Sequence, residues 1–247
     1  MRQVFYPGVL TEEIAITGGD AHHLAHVMRA QIGDAITVVD AAGQAAEMVV
    51  TALTRDVVHL RMQRVLPVET EGREVVLVQA LLKGEKMDFV VQKAAELGAA
   101  CVCPIVTEHV VVRYDAKKAA AKAARWQKIA DEAAKQCGRR MLMRVAPIVS
   151  LTELLRDPAY IGAADTATVF CYEQEERQSM RTVLCGTEAR RVTLIVGAEG
   201  GFSPAEAAAV TAAGGQPVSL GHRILRAETA SLTALAVTQY ELGNLDV

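Results

Sequence analysis

From residue 74 onward, short apolar runs rich in β-branched residues alternate with longer stretches of helical period. The runs at 75–82, 101–106, 168–171, 192–196 and 217–220 predict strands. Between them, 88–97, 117–136, 205–213 and 229–242 predict helices, with a shorter one at 179–184. Such alternation calls for a parallel α/β sheet. The first 70 residues read differently. Strands are predicted at 35–40, 45–53 and 57–65, with the first two joined by the Ala41-Ala42-Gly43-Gln44 turn. A short helix is expected at 22–30. This pattern alone implies a small β domain. The polar stretch Glu69-Thr70-Glu71-Gly72-Arg73 marks the boundary, so the chain divides into 1–72 and 73–247.

The 247 residues are 51% hydrophobic, enough for one large core or two modest ones. No apolar run reaches the roughly 18–20 residues a membrane span needs. The N-terminal stretch MRQVFYPGVLTEE lacks a secretory apolar region, so a cytoplasmic protein is expected. The five cysteines are scattered and lack CxxC spacing, which reads as free thiols. His22, His23 and His26 cluster, but no fitting acidic or cysteine partner lies nearby in sequence, and no metal is expected. The formal net charge is −3, yet residues 113–144 hold ten basic and three acidic side chains. That segment carries +7 and the remainder −10. A solvated helical face and a footprint for a phosphate backbone both fit it.

Two segments near the C-terminus carry the most chemistry. In the first, the strand ending at Val196 runs into Gly197-Ala198-Glu199-Gly200-Gly201-Phe202. A helix start follows: Ser203 as N-cap, Pro204 at the first helical position, and Glu206 completing a capping box. Glycines let the backbone turn sharply and approach a ligand. Ligands in open α/β sheets bind outside the carboxyl ends of strands, where this loop lies. In the second segment, Ser219-Leu220-Gly221-His222-Arg223-Ile224-Leu225-Arg226-Ala227-Glu228 again joins a strand to a helix. Thr229 or Ser231 is the expected cap. Arg226 and Glu228 at such a junction need partners or a ligand; a surface salt bridge is the plainer alternative.

These segments resemble the C-terminal signature of the SPOUT class of RNA methyltransferases. Within it, the chain resembles the ribosomal RNA small subunit methyltransferase E family, which modifies uracil N3 of 16S ribosomal RNA. The elements Leu220-Gly221, Ile224-Leu225-Arg226 and Glu228-Thr229-Ala230 match the family pattern. Ala198 stands where the family usually has proline. Further matches are Lys83-Gly84-Glu85-Lys86-Met87-Asp88, Gln92-Lys93-Ala94-Ala95-Glu96-Leu97-Gly98, Arg125-Trp126 and Glu132 to Arg139. Near the N-terminus, His22-His23-Leu24, Val27-Met28-Arg29 and Gly33-Asp34 also match.

The resemblance implies a SPOUT-type parallel sheet with a C-terminal trefoil knot, preceded by a small PUA-like β-barrel domain that binds RNA. It implies S-adenosylmethionine as methyl donor, held by Glu173, Val196, Gly197, Glu199, Gly200, Leu220, Gly221, Leu225, Arg226 and Ala230. Arg226 and Glu228 are the implied catalytic pair, with Arg226 stabilising the uracil anion and Glu228 orienting Arg226 or accepting a proton. Arg29, Lys93 and Arg139 are the implied RNA contacts, although Lys93 has Glu96 or Glu85 as alternative partners. The expected substrate is uridine 1498 of 16S ribosomal RNA in the assembled 30S subunit, and the expected assembly a homodimer. A different SPOUT enzyme methylating a ribose 2′-hydroxyl is one alternative. A noncatalytic RNA-binding assembly factor is another. A dinucleotide-dependent oxidoreductase fits poorly, because no early strand precedes a GxGxxG turn.

Overall fold

The computed structural model describes residues 3–54, 56–68 and 72–246. Glu69, Thr70 and Glu71 of the boundary stretch lie outside the described residues. The chain forms two compact units: Met1–Thr70 with Ala134–Met141, and Glu71–Ala133 with Leu142–Val247.

The first unit is built on a five-stranded sheet of β1 (Gln3–Tyr6), β2 (Glu13–Thr17), β3 (Ala35–Asp40), β4 (Ala45–Leu53) and β5 (Val57–Val65), in the order β1-β3-β4-β5-β2. Only the β1–β3 pairing is parallel. The β3–β4 hairpin closes through Gly43 at φ 82°, while Asp40 Oδ1 accepts the amides of Ala42 and Gln44 at 2.9 Å each. Alternation puts Val4, Ile14, Ile16, Ile36, Val38, Met48, Val50 and Leu60 into one core. Two register shifts in β4 curl the sheet. Residues of the 134–141 segment join this unit by hydrogen bonds: Gln3 Nε2 donates to the Arg139 carbonyl at 2.7 Å, and Lys135 Nζ lies 2.7 Å from Asp20 Oδ1.

The helix expected at 22–30 begins earlier and changes character. It is α1 (Gly18–His22) followed directly by a π-helical turn, His23–Val27. The wide turn is closed by the Met28 amide on the His23 carbonyl, 2.9 Å. It holds Ala21 and Leu24 in the core while His22, His23 and His26 stay exposed. Arg29 follows at φ 50°, the one non-glycine residue with positive φ among the described residues.

The second unit carries the all-parallel sheet. Its elements are β6 (Glu74–Ala80), α2 (Lys86–Glu96), β7 (Cys101–Val106), α3 (Ala116–Cys137), β8 (Arg144–Val145), β9 (Val149–Ser150), α4 (Leu151–Leu154), β10 (Thr166–Cys171), α5 (Met180–Leu184), β11 (Arg191–Val196), α6 (Pro204–Ala212), β12 (Gln216–Val218) and α7 (Ala227–Glu241). The last four residues of α3 belong to the first unit. Strand order is β12-β10-β11-β6-β7-β8, with β9 also pairing to β7. Both faces are covered, so β6 and β11 are buried from their second residues on. Phe170 and Phe202 meet edge to face at 6.1 Å. Trp126 is fully buried, and its indole N–H donates to Asp88 Oδ1 at 2.9 Å; a buried indole needs such a partner. Strand order runs outward on one side from β6 through β7, and on the other from β6 through β11. The reversal between β6 and β11 is the place where such sheets open a crevice at their carboxyl ends.

Candidate functional site

At that carboxyl end, β11 delivers Val196 and the glycine loop. A side chain at Gly197 would have its Cβ 3.3 Å from the Gly201 backbone and from the Phe202 ring, a tight fit that the neighbours must yield to accommodate. Gly201 sits at φ 66°, its amide donates to the Ala198 carbonyl at 3.0 Å, and any Cβ there would collide with the Glu173 carboxylate. Gly200 is pinned from the other side, its carbonyl 2.7 Å from His109 Nδ1. The capping box is complete: Ser203 N–H donates to Glu206 Oε2 at 3.0 Å, and Glu206 N–H to Ser203 Oγ at 3.3 Å. Glu206 Oε1 also accepts the Glu108 amide at 2.8 Å.

Beneath this loop lies a buried polar network. Gln79, near the end of β6, is wholly buried. Its Nε2 donates to the Gly197 carbonyl at 3.2 Å and to the Ala80 carbonyl at 3.0 Å. The Ser231 hydroxyl donates to Gln79 Oε1, with the Ala227 carbonyl 2.8 Å away as a second acceptor. One side chain therefore ties β6, the glycine loop and α7 together.

The second loop is organised differently. Ser219 N–H reaches the Gln178 carbonyl at 2.8 Å, and Gly221, at φ 100°, donates to Ser219 Oγ at 3.2 Å. Residues 222–224 are exposed, and Ile224 is 90% exposed. The cap of α7 is Arg226 itself, with extended backbone and no side-chain hydrogen bond to the helix. The expected caps are corrected here: Ser231 lies a full turn inside the helix and serves Gln79, and Thr229 sits in the first turn. Glu228 in that first turn complements the helix dipole.

Lys86, at the start of α2, links the two loops. Its Nζ lies 3.2 Å from Glu199 Oε1 and 3.2 Å from Glu228 Oε2. Glu199 Oε1 also accepts the Lys83 amide at 3.3 Å. Glu228, then Glu199, raise the Lys86 ammonium above its ordinary value. Burial works to raise both carboxyls, but it is outweighed. Their own backbone amides and Lys86 hold both low, with help from the Lys83 amide at Glu199 and from Arg226 at Glu228.

The expected donor-binding residues thus fall into one region. Val196, Gly197, Glu199 and Gly200 form the first loop, and Glu173 lies against Gly201 from the turn after β10. Leu220, Gly221, Leu225 and Arg226 form the second loop, after β12, which pairs with β10. Ala230 is one turn into α7, its amide bonded to the Arg226 carbonyl at 2.8 Å. The expected RNA contacts do not share a unit. Arg29 and Arg139 belong to the first, and Lys93 to the second, where it pairs with Glu96 at 2.7 Å. Within the basic segment, Arg125 pairs with Asp88, and Lys118 and Lys122 lie over the Tyr114 ring at 5.4 and 5.9 Å. Arg113, Lys117 and Lys128 are exposed.

Sequence reasoning missed Lys86, Gln79, Ser231 and His109 as parts of this region. Gln79 had a readable signal: it is an amide inside the apolar run of β6, where a buried polar group demands partners. Lys86 stood inside a segment matching the family pattern but without a role, and His109 had no signal, because the partners of both lie over ninety positions away.

Comparison with known proteins agrees with this architecture. The family described as RNA methyltransferase domain matches residues 69–239, and that described as RNA methyltransferase PUA domain matches 16–63. A ribosomal RNA small subunit methyltransferase E of Bacillus subtilis is 34% identical over 232 residues, spanning 92% of this chain and 90% of that one. Its namesake from Synechocystis is 31% identical, spanning 92% of this chain and 73% of that one. Among solved structures, a ribosomal RNA small subunit methyltransferase E from Neisseria gonorrhoeae bound to S-adenosyl methionine superposes with a TM-score of 0.86 at 28% identity, covering 97% of each chain.

Proposed function

Because the chain belongs to the ribosomal RNA small subunit methyltransferase E family of RNA methyltransferases, we propose that it methylates N3 of a uracil in 16S ribosomal RNA. S-Adenosylmethionine is the proposed donor, and uridine 1498 of the assembled 30S subunit the proposed target. The observation that carries the reading is the convergence of the loop after β11 and the start of α7 on Lys86, which contacts Glu199 of the one and Glu228 of the other, with Arg226 at the mouth of the second loop. In the same proposal the leading domain, 1–72, grips RNA, the domain 73–247 is catalytic, and its C-terminal segment is threaded as a trefoil knot.

The residues present fit the donor. Tight packing at Gly197 and the left-handed φ of Gly201 favour glycine there, so the loop offers bare backbone. Leu220 and Leu225, both half-buried, offer apolar surface for an adenine, and Glu173 a carboxylate beside the loop. When bound, the donor would supply an electrophilic methyl on a sulfonium; the N3 proton would pass to solvent water, the N3 lone pair would take the methyl, and the sulfur would leave as a neutral thioether. The Arg226 guanidinium stabilises the uracil anion left by that proton. Glu228, with its carboxyl held below the ordinary range, is a weak base. Orienting Arg226 is therefore its better role. N3 lies on the pairing edge, so the uracil must be unpaired or flipped to react. Arg29, Lys93 and Arg139 are the proposed RNA contacts.

The proposed assembly is a homodimer in the cytoplasm. On α7, Leu235 and Gln239 are committed to the chain's own core, whereas Tyr240 is 67% exposed. Light scattering in solution tests the dimer. No helix among the described residues is long and apolar enough to cross a membrane.

The reaction is tested with labelled donor and small subunits lacking the modification, with the product nucleoside identified by mass spectrometry. The expected product is 3-methyluridine. A 2′-O-methyl nucleoside would overturn the substrate assignment. Absence of both transfer and donor binding would overturn the enzyme reading.

A further inference from the structure

The cluster joining the two loops contains a cation with no role in the reading above. Lys86 sits at the start of α2, and its ammonium is 3.2 Å from one carboxylate of each loop, Glu199 and Glu228. The charged groups recorded around it are these two carboxylates and, through Glu228, Arg226. Formal charge in the set sums to zero: two cations and two anions. Remove Lys86, and two carboxylates face a single guanidinium. Arg226 would then be drawn into pairing with them, and the mouth of the second loop would carry a net negative charge. A uracil losing its N3 proton there would build a second anion beside the first.

We propose that Lys86 is a positioning residue for methyl transfer: it neutralises Glu199 and Glu228, locks the two loops together, and so leaves the Arg226 charge available to the uracil. This rests on the N3 reading of the reaction. Lys86 need not touch the substrate. Its effect falls on the pH at which N3 deprotonates and on the turnover number, with a smaller effect on donor affinity.

The test uses the full chain, small subunits lacking the methyl group and saturating labelled donor. Lys86→Met and Lys86→Arg are measured for kcat across pH and for donor Kd by calorimetry. In Lys86→Met the rising limb of the pH–rate profile is expected to move up by roughly half to one unit, so that turnover below the limb falls about three- to tenfold. Donor Kd is expected to change less than kcat, and Lys86→Arg to recover most of the loss. The double variant Lys86→Met/Glu199→Gln separates charge from scaffolding. Deleting one uncompensated carboxylate should move the limb back toward wild type, which a merely structural defect would not do. It also serves if Lys86→Met alone folds poorly, since it removes the charge imbalance. An unshifted limb with wild-type kcat in Lys86→Met, or no recovery in the double variant, overturns the proposal. Failure of the underlying reading is distinct: wild-type chain would then yield no 3-methyluridine at all.

Discussion

The two loops of the candidate site follow β11 and β12, strands separated by β10, and are built on opposite principles. The loop after β11 is over-determined. Gly197, Gly200 and Gly201 are each pressed by other atoms, a capping box closes its exit, and a buried glutamine holds its first carbonyl from below. The loop after β12 has little of this. Among the described residues, 222–225 contribute no hydrogen bond, Ile224 is 90% exposed, and α7 starts on an arginine that makes no side-chain cap. A frame that must hold a small donor in one geometry benefits from the first construction. A surface that meets a large RNA benefits from the second, because exposed side chains can take up the shape of the partner. Lys86 is the recorded ionic tie between them.

The sharpest break in this comparison is expected from Arg226→Ala. It should lower kcat by about two to three orders of magnitude, in line with loss of a group stabilising transition-state charge. It should leave thermal stability within about 0.5 kcal/mol, because an exposed side chain that makes no hydrogen bond to its helix adds little. Single-turnover methylation and scanning calorimetry on the same preparation check both halves. A large drop in melting temperature would mean that the second loop is as structural as the first.

Gly201→Ala should do the reverse. The substituted residue would need a φ near 66° and would place its Cβ into the Glu173 carboxylate. Donor Kd should weaken by roughly one order of magnitude or more, since strain of about 1–2 kcal/mol and a steric clash must both be absorbed by the loop. Calorimetric titration with the donor checks it. Pairing the substitution with Glu173→Ala should recover part of the loss by removing the clash, though not the backbone strain.

Gln79→Met tests the support beneath the first loop. The side chain keeps its length but loses both donors and its acceptor, so the Gly197 carbonyl loses its recorded side-chain donor. The expected cost is about 1–3 kcal/mol of stability. Denaturant unfolding measures it. If stability is unchanged, the buried network is not what makes the first loop rigid.

These contrasts also mark what the sequence could and could not disclose. Most strand and helix positions were legible because periodicity is local: Ala35–Asp40, Ala45–Leu53, Val57–Val65 and Cys101–Val106 agree with their predicted ranges, the other predicted elements differ by a few residues at their ends, and the short β1, β2, β8, β9 and α4 were not predicted. The capping box at Ser203 and Glu206 was legible for the same reason. The π-helical turn at His23–Val27 was not, since its wide winding answers to the burial of Ala21 and Leu24 beneath the sheet rather than to any local preference. Nor was the cap of α7. Thr229 and Ser231 have capping chemistry, but Ser231 is claimed by Gln79, 152 residues earlier in the chain. Contacts such as Lys86 with Glu199 exist only once β6 and β11 lie side by side and bring the start of α2 to the loop after β11.

The smallest expected effect concerns acid. The Glu199 and Glu228 carboxyls lie below their ordinary value of 4.5, against the upward push of burial, because backbone amides and Lys86 favour their charged forms. A carboxyl depressed in the folded state adds stability that is fully present above the unfolded pKa and lost as pH falls through the folded one. The tie between the loops should therefore hold at neutral pH and weaken only below about 4.5. Partial exposure and counter-ions keep its contribution small. Glu199→Gln should lower the unfolding free energy slightly and by a constant amount between pH 6 and 8, and its difference from wild type should fade as pH falls below that value. Urea titrations at a series of pH values check this. A variant that instead destabilised the chain equally at every pH would show that Glu199 acts by packing and hydrogen bonding, and that the ionic tie to Lys86 does not hold the two loops together.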